Sequence, residues 1–60
     1  MPKYNVVVDC CGPIGDAALT YRNILAATPA AAEAIACRKV GEYYTEYPEI
    51  LGTRTERVGN

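Results

Sequence analysis

Histidine is absent from all 60 residues, which removes the commonest general base and the commonest zinc ligand together. A cysteine nucleophile then has no imidazole to activate it. Tryptophan and phenylalanine are absent too, so a core has to be assembled from Val, Ile, Leu, alanine and some of the five tyrosines. Neither sign of charge dominates. Six basic against seven acidic residues leave a net charge of −1, without the basic excess that phosphate contacts require. Direct nucleic-acid binding is therefore not expected, and base stacking is poorly provided for, since Tyr4 and Tyr21 are the only aromatic residues in the strand-like stretches. No apolar run approaches the roughly 20 residues of a membrane-spanning helix, and no apolar leader follows Met1-Pro2-Lys3-Tyr4, so neither insertion nor export is expected.

The three cysteines are odd in number, and Cys10 and Cys11 are adjacent, unlike the even, spaced framework of a disulfide-stapled secreted domain. A reducing cytoplasm fits that pattern. Neighbours on a strand point to opposite faces, so Cys10 and Cys11 are wrongly placed for a chelate, and neither metal nor cofactor is expected. Cys10 and Cys37 read as small buried hydrophobes, with Cys11 at a strand end. Activation of Cys37 by Arg38 or Lys39 is disfavoured, because helix residues one and two apart face different ways. The loop Gly12-Pro13-Ile14-Gly15-Asp16 lacks the Lys-Ser/Thr ending of a phosphate-binding loop and reads as a hairpin turn. An enzyme is not expected.

What is present is half hydrophobic by count and strongly patterned. Thr28 can cap a helix with its hydroxyl, Pro29 suits the first helical position, and an alanine-rich run of high helix propensity follows. The spacing predicts a helix over about 29–47, stopped by Pro48, with Ala32, Ala36, Val40, Tyr43 and Tyr47 on one stripe and Ile35 at its edge. Tyr4, Val6, Val8 and Cys10 alternate with Asn5, Val7 and Asp9, which predicts a central strand over about 3–10. A second strand over about 17–27 carries Leu19, Tyr21 and Leu25 in one parity and Ile24 in the other, a mismatch that a bulge near Arg22-Asn23 would reconcile. Thr53, Arg54, Thr55, Glu56 and Arg57 mark a polar edge strand over about 50–58.

Residues 1–60 thus predict a single small α+β domain of order β-β-α-β: a three-stranded antiparallel sheet in order 2-1-3 with one helix packed on one face. The other face stays bare unless a partner covers it, its expected occupants being Asn5, Val7, Asp9 and some of Arg22, Ile24, Thr53 and Thr55. Glu42, Glu46 and Glu49 fall near Tyr43, Tyr44 and Tyr47, and this cluster reads either as a solvated acidic face or as a binding patch. The candidate binding residues are Glu42, Tyr44, Glu46 and Glu49 first, then Arg54, Glu56 and Arg57 along the edge strand.

The hairpin, the passage Ala26-Ala27-Thr28-Pro29 into Ala32-Glu33-Ala34-Ile35, and the strand ending near Arg57-Val58 resemble small bacteriophage proteins that disarm the host. Among them are the short RNA polymerase inhibitors of T7-like phages, whose helix opens with a similar Glu-Ala step. Here Pro29, Ala30 and Ala31 replace the acidic first turn usual there. Anti-CRISPR proteins are similar in size and in lacking catalytic residues. The resemblance implies a non-catalytic, cytoplasmic inhibitor that binds a bacterial protein complex, a Cas effector in the first place and RNA polymerase as the alternative. A homodimeric structural or assembly module is the reading from another class.

Overall fold

The computed structural model describes residues 1–59. Its elements are β1 (Lys3–Gly12), β2 (Gly15–Leu25), α1 (Pro29–Tyr43) and β3 (Glu49–Gly59). They form one three-stranded sheet in the order β2-β1-β3, with β1 antiparallel to both neighbours and α1 packed on the sheet. This is the expected architecture; β1 and β3 run slightly longer than the alternation alone marks, while β2 both begins and ends two residues earlier than the expected 17–27. Among the described residues no helix is long and apolar enough to cross a membrane.

β1 is central because it offers apolar side chains on the packed side and backbone pairing on both edges. Tyr4, Val6, Val8 and Cys10 are buried under the helix, which contributes Ala32, Ala36 and Val40, while Ile24 and Ala26 close one end. The alanines let the helix backbone approach the sheet closely, and each fully buried valine adds about 1.5–3 kcal/mol of hydrophobic stabilisation. The helix starts where local chemistry says it should: the Thr28 hydroxyl accepts the Ala31 N–H at 3.1 Å, and Pro29 occupies the first turn.

The bulge expected near Arg22-Asn23 is present. Tyr4 pairs with Ile24 but Val6 with Tyr21, so β2 carries one more residue than β1 across that interval. Asn23 takes a left-handed conformation at φ 56°, and its N–H donates to the Asn5 side-chain oxygen at 3.1 Å. The extra residue returns Ile24 to the helix side, where it is buried, instead of the bare face on which it was a candidate.

Two further findings correct the expected pattern. The helix ends at Tyr43 rather than near Tyr47, and its packed stripe stops at Val40, leaving Tyr43 70% exposed. A helix running to Tyr47 would leave Pro48 alone to bridge to β3, whose first residue, Glu49, pairs with Cys11. The chain instead leaves the helix at Tyr44, whose N–H still reaches the Val40 carbonyl at 2.9 Å, and folds back through a Tyr47 N–H to Tyr44 carbonyl bond of 3.0 Å. That loop lies against the hairpin end so tightly that a Cβ on Gly12 would overlap the Glu46 carbonyl. Tyr47, although off the helix, still packs against the core.

The second correction concerns Thr53 and Thr55. They pair with Val8 and Val6, on the helix side of the sheet, and both hydroxyls donate to the carboxylate of Glu33: Thr53 to Oε1 and Thr55 to Oε2, each at 2.8 Å. A helix carboxylate thus clamps the edge strand.

Candidate functional site

The face away from the helix carries the other parity of β1. Val7 pairs with Thr20 and Arg54, and Asp9 with Ala18 and Gly52, so these positions share one surface that no element among the described residues covers. At its centre the Arg54 guanidinium meets the Asp9 carboxylate at 3.3 Å. That pair divides the face into two shallow grooves. One, of ≈350 Å³, is lined by Asn5, Val7, Thr20, Arg22, Arg54 and Glu56. The other, of ≈380 Å³, is lined by Asp9, Asp16, Ala18 and Leu51. Both arginines, with Glu56 beside them, therefore gather towards one end of the face and Asp9 and Asp16 towards the other, a net charge gradient suited to a partner with the complementary one.

The candidate binding residues divide among three places. Arg54 and Glu56 lie on the bare face, and Glu49, which pairs with Cys11 and accepts from its thiol at 3.8 Å, extends the acidic end of that same side. Glu42, Tyr44 and Glu46 lie at the end of α1 and in the loop after it; all three are exposed, and Glu42 faces Arg38 at 3.9 Å in a solvent-exposed pair of the kind that contributes little. Arg57 pairs with Tyr4 and so falls on the helix side of β3. The acidic and tyrosine-rich stretch is consequently not one patch with the edge strand. Beside it, Cys37, Val40, Gly41, Tyr44, Tyr47 and Ile50 line a groove of ≈320 Å³.

The three thiols and the Tyr21 hydroxyl are all shifted towards their protonated forms. Burial pushes the Cys10 thiol up, with Asp9 and then Asp16 adding to it; burial and then Glu49 raise Cys11; burial and then Glu33 raise Cys37. All three are free cysteines. The Tyr21 hydroxyl is buried without a hydrogen-bond partner among the described residues, and burial raises its pKa, with Tyr44 next. Among the described residues no group of three or more Cys, Asp or Glu side chains is placed to hold a metal ion. Glu33 is shifted the other way: the hydrogen bonds from Thr53 and then Thr55 hold its carboxyl below the usual value.

Sequence reasoning missed Glu33. The signal was present, since threonines two apart on a strand share a face, but nothing in the pattern says which helix residue lies over them. No protein-family model, no curated protein and no solved structure matches this chain.

Proposed function

We propose that this chain is a non-catalytic inhibitor of the bacteriophage type, acting in the host bacterial cytoplasm by binding a nucleic-acid-handling protein complex and occluding it. A CRISPR effector is its first target and host RNA polymerase the alternative. The observation that carries this reading is the bare, charge-graded sheet face, with Arg54 oriented by Asp9 beside Glu56 and Arg22. A rigid module of this size can present the roughly 800 Å² per partner that a specific interface uses. Thiols raised by burial are poor nucleophiles at neutral pH, which favours blocking over chemistry.

The test is retention of a Cas protein or a polymerase subunit from a lysate of a CRISPR-carrying bacterium. Wild type is compared with Arg54→Glu paired with Glu56→Arg on the bare face, and with Glu42→Lys paired with Glu46→Lys at the helix end. Capture lost in the first variant and kept in the second assigns the bare face; the converse assigns the helix end. Retention of neither target by the wild-type chain refutes the proposal.

A further inference from the structure

Among the described residues the outer edge of β2 is unpaired, since β2 ends the sheet and β1 occupies its inner side. An edge strand of 11 residues is a template for another strand unless its side chains forbid the match. Here they favour one match in particular. Asp16 and Arg22 both fall on the bare-face side of β2, Asp16 opposite Cys11 and Arg22 lining the groove with Thr20. Among the described residues neither makes an ion pair or a side-chain hydrogen bond. They lie at equal distances on either side of Leu19.

From this we infer that two copies of the chain pair antiparallel through β2, about a twofold axis at Leu19 perpendicular to the sheet. In that register Asp16 of each copy stands across from Arg22 of the other, Leu19 meets Leu19, and Ala17 meets Tyr21. The bulge at Arg22-Asn23 shortens β2 by one residue along its axis, which brings Leu25 level with the turn residue Ile14 of the second copy. Ile14 is 75% exposed and Leu25 56% exposed in the single chain, so the match also brings together two apolar side chains now in water. Sliding the register by one residue would set bare-face positions against helix-side positions, which strand parity forbids.

The other edge is less suited to the same role. A β3 pair centred at Thr55 also sets Arg54 against Glu56, but Arg54 is already held by Asp9, and the Thr53 and Thr55 hydroxyls are spent on Glu33. The perpendicular twofold keeps both helices on one side. It joins the two bare faces into one six-stranded platform, and the dimer stands whether or not the target proposed above is correct.

The experiment is sedimentation of the purified chain at increasing concentration, for wild type, Asp16→Arg, Arg22→Asp and the double exchange. Each single change sets two like-charged pairs across the twofold at once and is expected to weaken the dimer by about tenfold, and the double exchange to restore it. Circular dichroism verifies the fold of each variant. Hydrogen exchange on the wild-type chain supplies a readout that needs no variant: protection of β2 amides should rise with concentration. A wild-type chain that stays monomeric, single variants that dimerise unchanged, or protection rising on β3 instead of β2 would each overturn the inference.

Discussion

Removing Glu33 tests the packing logic of the molecule most directly. Its carboxylate receives the Thr53 and Thr55 hydroxyls, each at 2.8 Å, and it ties α1 to an edge strand whose own apolar residues, Ile50, Leu51 and Val58, are exposed. Both hydroxyls donate to one charged acceptor, so Glu33→Ala removes two charge-assisted hydrogen bonds at once. A chain this short is only marginally stable and its thermal midpoint responds steeply to each lost contact, so Glu33→Ala is expected to lower that midpoint by several degrees. Glu33→Gln keeps the shape and one acceptor oxygen, and should lose less.

The pH dependence gives an independent check. The folded-state pKa of Glu33 lies below its ordinary value of 4.5, so the native state binds fewer protons than the unfolded chain and stability rises with pH. The contribution is fully present at neutral pH, begins to fade as pH falls through 4.5, and is gone below the lowered folded value. Thermal melts of wild type and Glu33→Ala followed by circular dichroism should therefore converge on acidification. A double-mutant cycle with Thr53→Val and Thr55→Val should show coupling. Equal midpoints at neutral pH, a gap that survives acidification, or strictly additive losses would refute the clamp.

Three further outcomes are expected. Gly12→Ala forces a Cβ into the Glu46 carbonyl and should destabilise by about 1–3 kcal/mol, whereas Gly41→Ala, helical with open space around its Cβ, should stabilise by about 0.5–1 kcal/mol; a neutral Gly12→Ala in denaturant titration would remove the close approach. Asn23→Val should cost about 1–2 kcal/mol because a β-branched residue resists φ 56°, while Asn23→Gly should be tolerated apart from its greater unfolded-state freedom; equal stabilities of the two variants would count against the bulge. The three thiols should be alkylated more slowly at neutral pH than free cysteine, with buried Cys10 the slowest, and denaturation should abolish the difference; fast labelling of the native chain would contradict the raised pKa values.

The elements and their order were legible because their signals are local. Thr28 and Pro29 mark the helix start within one turn, and alternation through Tyr4, Val6, Val8 and Cys10 names the packed side of β1. The β2 bulge could be inferred from the differing parity of Tyr21 and Ile24, but parity alone left Ile24 a candidate for the bare face, and the structure buries it under the helix. The candidate site was legible only in part. Arg54 and Glu56 are alternate residues of one strand and share a face whatever the fold, but their separation from Glu42, Tyr44 and Glu46 depends on where the helix ends.

By itself, then, the order of residues determined the strands, the capped helix and the sheet order, all of which follow from periodicity and turn chemistry over a few neighbours. Tertiary structure alone decided the helix end at Tyr43, the bulge at Leu51 that brings Glu49 to the same side of β3 as Arg54 and Glu56, and the grip of Glu33 on Thr53 and Thr55. Those features depend on how β3 docks beside β1 and beneath α1. The contacts that set them join residues some twenty positions or more apart, and no local preference encodes a register between segments that meet only when the chain has folded.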